Sequence, residues 1–258
     1  MQINKDLCDK VVHWLGSYLE ESGLSNFIIG VSGGVDSALA STLCAETGRP
    51  IIVLNIPIIS KQSNTDLSTK HCNWLSDNYD NVTVHNIDLT KAYEAFKGVV
   101  LEHTDNNDLA FANTKSRMRM MLLYYFATSS NGLVVGTGNK VEDFGVGFYT
   151  KYGDGGVDIS PIADMSKTQV RQCASLLGIT DEILNAPPTD GLWEDSRTDE
   201  EQIGASYEEL EWAMEYVDEG KNEPLSTRQE EVVRIFLGYR NKNSHKMSPI
   251  PIFLLESA

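Results

Sequence analysis

Basic residues are scarce in this chain: 21 Lys and Arg stand against 37 Asp and Glu, a formal net charge of −16 over 258 residues. So acidic a surface repels a nucleic-acid backbone, whose affinity comes from Lys and Arg neutralising phosphates. It repels an anionic membrane surface for the same reason. Cysteine is scarce too. Cys8, Cys44, Cys72 and Cys173 are widely spaced with no CxxC pair, which argues against a disulfide framework or a zinc site and fits reduced thiols in a cytoplasmic protein. No two of the five histidines stand at HxxxH spacing, so a histidine metal site has no support. No apolar run approaches the ~20 residues that span a bilayer, and the N-terminus lacks the basic-then-apolar profile of a leader peptide. Repeats, long linkers and low-complexity tracts are absent. What is present is ordinary globular usage, 41% hydrophobic and 22% charged, in a length that suits one domain over residues 1–258.

Apolar periodicity lays out the chain. Leu7, Val11, Trp14, Leu15, Tyr18 and Leu19 stand at three-and-four spacing and predict a first helix that Gly23 ends. Short apolar runs predict strands at 27–31, 51–55, 82–87 and 133–136. Helices are predicted between them, at 38–47, 66–77, 91–100 and 114–128. Residues 139–165 are rich in Gly and Asp and read as irregular. Further helices are predicted at 167–177, 207–217 and 227–241, with a Pro- and Gly-containing loop at 185–192 and a polar, acidic segment at 193–204, a candidate lid. Short buried strands alternating with helices predict an α/β fold, a parallel sheet with helices on both faces. Such sheets bind ligands beyond the carboxyl ends of their strands, where strand order reverses.

The segment Gly30-Val31-Ser32-Gly33-Gly34-Val35-Asp36-Ser37 follows the first predicted strand and opens a helix. It lacks the lysine and spacing of a Walker A loop and does not fit GxGxxG. Its logic is still that of a phosphate loop. Glycines let backbone N–H groups approach an anion, and the following helix points its positive end at it. Ser32 and Ser37 add hydroxyl donors. Asp36 would repel a phosphate unless Mg²⁺ lay between them, and magnesium commonly binds through one or two carboxylates plus substrate phosphates. A lone Ser-Gly-Gly reads as a plain turn about as often as a phosphate loop; the strand before it and the helix after it favour the loop.

Ser32–Ser37 is similar to the signature loop of the ATP pyrophosphatase superfamily, whose shared chemistry cleaves ATP to AMP and pyrophosphate by adenylating a substrate oxygen. Within that group the chain resembles the ammonia-dependent NAD synthetases. Asn113–Met120 resembles their NxxxRxRM helix, with Ser116 where alanine is usual. Gly136–Glu142 resembles their GTxxxxE segment, and Thr150–Asp158 their TKYGDGGxD stretch. Lys167, Pro188-Thr189, Thr198–Glu201 and His245-Lys246 match later positions in order. Between Glu142 and Thr150 the chain is one residue longer than the common pattern. Taken singly, Arg117 and Arg119 read as a solvated helix face and His245-Lys246 as an exposed tail; their joint order gives them meaning.

The resemblance implies an adenine nucleotide alpha hydrolase-like (Rossmann-like) fold and these roles. Gly30, Val31, Ser32, Gly33, Gly34, Val35, Asp36 and Ser37 hold ATP. Thr137, Lys167 and Thr189 contact ATP. Asp36 and Glu142 share Mg²⁺, and Asp36 and Lys167 are the catalytic pair. Arg117, Lys151, Asp158, His245 and Lys246 contact deamido-NAD⁺. In so acidic a chain Arg117, Lys151, Lys167 and Lys246 would make a positive focus for that anion. Roles for Asp154 and Arg119 are left open. The implied reaction adenylates the nicotinate carboxylate of deamido-NAD⁺, after which ammonia displaces AMP to give NAD⁺. About 26 residues precede the first strand, too few for the amidase domain of glutamine-dependent relatives, so free ammonia is the expected donor. Family resemblance also suggests a cytoplasmic homodimer, with helix 114–128 a candidate interface. Two rivals are a tRNA-thiolating ATP pyrophosphatase and a nucleotide sensor without chemistry. The net charge and scattered cysteines oppose the first; Asp36, Glu142 and Lys167 together oppose the second.

Overall fold

The computed structural model describes residues 5–60, 62–189, 191–193 and 197–255. Four strands, β1 (Asn26–Gly30), β2 (Ile51–Asn55), β3 (Val82–Asn86) and β4 (Gly132–Val134), form one parallel sheet in the order β3-β2-β1-β4. Phe27 pairs with Ile51 on one side and Leu133 on the other, so β1 is central. Its apolar run NFIIG has no polar alternation because both faces are covered. Phe27, Ile29 and Val31 enter the larger core, under α1 (Lys5–Glu21), α2 (Val35–Glu46) and α6 (Lys167–Leu176). Ile28 faces the opposite side with Val134 and Ala127, under α5 (Asp108–Ser130). The expected doubly covered parallel sheet is therefore present.

Strand order reverses between β1 and β4, since β2 and β3 lie on one side of β1 and β4 on the other. That is the crevice in which such sheets bind ligands. The phosphate loop leaves the end of β1, and the Gly136–Glu142 segment leaves the end of β4. Both glycine segments thus open onto the crevice.

Helices α3 (Gln62–Asn78) and α4 (Thr90–Leu101) follow β2 and β3. The short helices α7 (Asp181–Leu184) and α8 (Asp199–Ile203) precede α9 (Tyr207–Asp218) and α10 (Thr227–Met247). A second core of Val141, Val146, Ile203, Tyr207, Leu210, Val232 and Phe236 joins α8, α9 and α10 to the segment after β4.

Four differences from the sequence expectations bear on the site. Residues Val141–Val146 are not irregular but form a π-helical turn, closed by Gly147 N–H onto the Glu142 carbonyl. A turn wound with i→i+5 bonds takes up one more residue than an α-turn. The segment 193–204 contains α8, capped by Thr198 and Glu201 in a reciprocal box; its residues 194–196 lie outside the described ones. Helix α5 starts earlier than 114, at Asp108, because the Asn107 side chain accepts from Ala110 N–H. Helix α10 runs on to Met247, so His245 and Lys246 sit in its last turn rather than in a tail.

Candidate active site

The phosphate loop is held open by its own serines. Ser37 Oγ accepts from Ser32 N–H at 3.1 Å and donates to the Gly34 carbonyl at 3.0 Å. Ser32 Oγ lies 3.1 Å from Ser37 Oγ. Gly33 has φ +91°, a conformation that favours glycine. Asp36 falls in the first turn of α2, where the helix dipole favours a carboxylate.

Three segments distant in sequence meet at Asp36. Lys167, the first residue of α6, is only 2% exposed. Its Nζ forms an ion pair with Asp36 Oδ2 and another with Glu142 Oε1 at 3.3 Å. The capping box of Ser166 and Gln169 fixes the helix start from which this lysine projects. Glu142 comes from the π-helical turn. Asn139 joins the two acids: its Nδ2 donates to Asp36 Oδ1 at 3.2 Å, and its Oδ1 accepts from the N–H groups of Val141 and Glu142. Tyr207 donates its hydroxyl to Glu142 Oε1, lies 3.3 Å from Asp199 Oδ2, and presents its ring to Lys167 Nζ at 4.5 Å.

Burial and charge oppose each other here. Burial alone lowers a lysine pKa, but the carboxylates of Asp36 and Glu142 overcome it and hold Lys167 above its ordinary value. Burial raises the Glu142 carboxyl, and Lys167 partly offsets that. Asp143 is pushed up to about 8 by burial and by the charges of Glu142, Asp154 and Asp36. Its carboxylate packs against the turn after β4, where a Cβ on Gly138 would lie 2.2 Å from Asp143 Oδ1.

A second group of predicted residues meets around the loop 147–154. Lys246 Nζ donates to the carbonyls of Gly147 and Tyr149 at 2.9 and 2.7 Å. Lys151 Nζ donates to the His245 carbonyl at 2.8 Å, and Arg117 Nε to the Lys151 carbonyl at 3.3 Å. Beside them is a cavity of about 150 Å³, lined in part by Gly136, Asp143, Asp154, Ser160 and Lys246. The four basic residues expected to form one positive focus therefore divide: Lys167 serves the Asp36 centre, and Arg117, Lys151 and Lys246 serve this loop.

Other predicted residues are engaged differently. The Asp158 carboxylate accepts from Val134 N–H and from Tyr124 Oη, both at 2.8 Å, and so fixes the end of β4. Thr189 Oγ1 donates to the Arg197 carbonyl, eight residues on, at 3.2 Å. Thr137 lies on the turn after β4, between the cavity-lining Gly136 and Gly138. Arg119 Nε donates to the Ile56 carbonyl beyond β2.

The role of Asp154 becomes clear. Its Oδ1 accepts from Ser116 Oγ at 2.6 Å and from Thr150 N–H at 3.0 Å, while Thr150 Oγ1 donates to Asn113 Oδ1 at 2.8 Å. Asn113 and Ser116, one turn apart on α5, thereby shape the glycine loop. Ser116 is a hydrogen-bonding member of the site, not a silent replacement for alanine. A Cβ on Gly153 would lie 2.2 Å from Ser116 Oγ and 2.9 Å from Thr150 Cβ. Gly153→Ala is therefore expected to destabilise the fold by roughly 1–3 kcal/mol through overpacking and to raise the acceptor KM. Unchanged melting and KM would contradict that role for the loop.

Sequence reasoning missed Asn139, Asp143, Asp199 and Tyr207. A signal for the last two existed: Thr198/Glu201 and Ser206/Glu209 are both capping-box pairs, which mark helix starts next to Asp199 and Tyr207.

A phosphate loop at the switch point of a parallel sheet, with a buried lysine clasped by two acids beside it, defines an ATP-binding α/β protein. A family model described as NAD synthase matches residues 7–250, and the chain belongs to that family, a group of ligases. A relative from Alkaliphilus metalliredigens is 36% identical over 254 residues, 94% of this chain and 96% of its own, and one from Methanococcoides burtonii is 32% identical over 256 residues, 96% and 94%. Both are NH(3)-dependent NAD(+) synthetases. Among solved structures, the NMN synthetase from Francisella tularensis is 30% identical, covers 100% of both chains and superposes with a TM-score of 0.85.

Proposed function

We propose that the chain is an ammonia-dependent NAD⁺ synthetase acting on deamido-NAD⁺, ATP and ammonia. The observation that carries this reading is the meeting of Asp36, Glu142 and Lys167 at the switch-point crevice, beside the phosphate loop. Two carboxylates against one ammonium leave that centre net negative, and both offer hard oxygen donors. They fit Mg²⁺, which commonly binds through one or two carboxylates plus substrate phosphates. Among the described residues no cluster of three or more acids, histidines or cysteines could hold a metal ion alone. Mg²⁺, when bound, would neutralise charge on the ATP phosphates.

In the proposed reaction the loop 30–37 binds ATP through backbone N–H groups and the α2 N-terminus. Thr137 and Thr189 contact the nucleotide. Arg117, Lys151, Asp158, His245 and Lys246 form the acceptor side, with Asp158 acting through the β4 end that it fixes. These residues place the nicotinate carboxylate against the α-phosphorus. A carboxylate oxygen attacks phosphorus, the bond to pyrophosphate breaks, and Lys167 meets the charge that develops. Ammonia then attacks the activated carbonyl carbon, AMP leaves with the C–O electron pair, and the nitrogen loses a proton to give the amide. Adenylation turns a poor electrophile into one with a good leaving group. No protein nucleophile takes part.

Incubating the protein with deamido-NAD⁺, ATP, Mg²⁺ and ammonium chloride tests this reading. NAD⁺ and AMP should form in equal amounts; formation of neither would refute it. A second acceptor is favoured by one observation, the end-to-end likeness to an NMN synthetase. On that reading the substrate is nicotinate mononucleotide, and the same chemistry makes NMN. The ratio of kcat/KM for the two acids decides between them.

We also propose a cytoplasmic homodimer. All four cysteines are buried and free, which suits a reducing compartment. Met121 and Tyr125 stand 61% and 68% exposed on α5, and an apolar face of this kind favours a partner. Sedimentation velocity reports the assembly state.

A further inference from the structure

We infer that Tyr207 is a positioning residue for the proposed metal carboxylate Glu142, and that Asp199 and Tyr207 together register the Pro188–Thr189 loop to that carboxylate. The inference rests on the reading of Glu142 as a metal ligand given above. Tyr207 is 1% exposed and stands at the start of α9, whose cap at Ser206 and Glu209 fixes where its side chain leaves the helix. Its hydroxyl has one proton to give. The proton goes to Glu142 Oε1, the same oxygen that faces Lys167 Nζ, and Asp199 Oδ2 lies 3.3 Å from the same hydroxyl oxygen.

With Oε1 held by a neutral donor and an ammonium, the plane of the Glu142 carboxyl is fixed. So is the direction in which its remaining lone pairs point. Groups that hydrogen-bond a metal ligand in this way orient it and tune its affinity. The Tyr207 ring does a second task, since Lys167 Nζ sits 4.5 Å from its centre, a cation–π distance. One side chain therefore restrains both the acid and the lysine of the Asp36 centre.

The link runs outward through Asp199. Its backbone N–H donates to the Pro188 carbonyl at 3.0 Å, and Tyr207 N–H donates to Glu200 Oε1 at 3.0 Å. The loop carrying Thr189, proposed above to touch ATP, is thus joined through α8 to the carboxylate that would share the metal. On this inference a change at the loop is felt at Glu142.

Tyr207→Phe tests the inference because it keeps the ring, its packing and its face toward Lys167, and removes only the hydroxyl. Mn²⁺ binding to the ATP-loaded protein, followed by electron paramagnetic resonance, is the readout that does not depend on turnover. Half-saturation should move to roughly tenfold higher Mn²⁺. The Mg²⁺ dependence of turnover should shift equally, with the acceptor KM unchanged. Asp199→Asn should move both in the same direction by less. Half-saturation within twofold of the parent protein in Tyr207→Phe would overturn the inference, as would a uniform loss that follows a lowered melting temperature with no change in metal dependence. If the parent protein made no amide, the Mn²⁺ titration would still report on Tyr207, so failure of the functional reading and failure of this one are distinguishable.

Discussion

Asp36→Ala is expected to lower turnover by about three orders of magnitude, the scale on which loss of a group that stabilises transition-state charge is felt, while the protein still folds. The carboxylate stands at the one point shared by the phosphate loop, Lys167 and Asn139. Removing it takes away one of the two acids proposed to hold Mg²⁺. Folding survives because Lys167 keeps its ion pair with Glu142, so no buried charge is left alone. The change also removes a favourable acid from the first turn of α2, a loss of about 0.3–1 kcal/mol. Steady-state release of AMP, measured beside a thermal melt, separates the two effects. Near-normal turnover would refute the metal role of Asp36.

Lys167→Met is expected to act on both activity and stability. Turnover should fall roughly 100- to 1,000-fold, because the developing charge on phosphorus loses its buried cation. Stability should fall by about 3–5 kcal/mol at neutral pH, because Asp36 and Glu142 are left facing each other with no cation between them. The pH dependence identifies the cause. Burial and the Asp36 charge already raise the Glu142 carboxyl, and Lys167 opposes them. Without the lysine that carboxyl rises further. A group whose folded pKa is raised adds stability below its unfolded value and loses it as pH climbs through the folded value. The variant should therefore recover stability as pH falls from 8 towards 5. A deficit that stays constant over that range would show that packing, not the two acids, explains the loss.

Local structure was legible wherever one residue type repeats with a local reason. The runs Phe27–Val31 and Ile51–Asn55 read as buried strands because both sheet faces are covered. The three-and-four spacing from Leu7 to Leu19 gave α1, whose Leu15 and Leu19 are buried. Elements held by tertiary contacts were not legible. The sequence after Asn241 has no apolar period, yet α10 continues because Asn243 donates to the Val146 carbonyl at 2.8 Å. The π-helical turn has no hydrophobic signature.

The site divides in the same way. Asp36, Glu142 and Lys167 could be proposed from ordered motif segments, and they do converge. Their supporting groups could not, because nothing local ties Asn139 to Asp36, 103 residues away, or Tyr207 to Glu142, 65 residues away. Asp158 shows a structural task that its motif did not announce. A motif match implied a substrate contact; what the sequence did not reveal is that the same carboxylate accepts from Val134 N–H and from Tyr124 Oη.

In the proposed reaction ATP activates the nicotinate carboxylate by adenylation at the Asp36–Glu142–Lys167 centre. Acceptor labelled with ¹⁸O at both carboxylate oxygens tests it most directly, with products read by mass spectrometry. One ¹⁸O should be carried into the phosphate of AMP and the other retained in the amide. Unlabelled AMP, or release of ADP and phosphate in place of AMP and pyrophosphate, would contradict it.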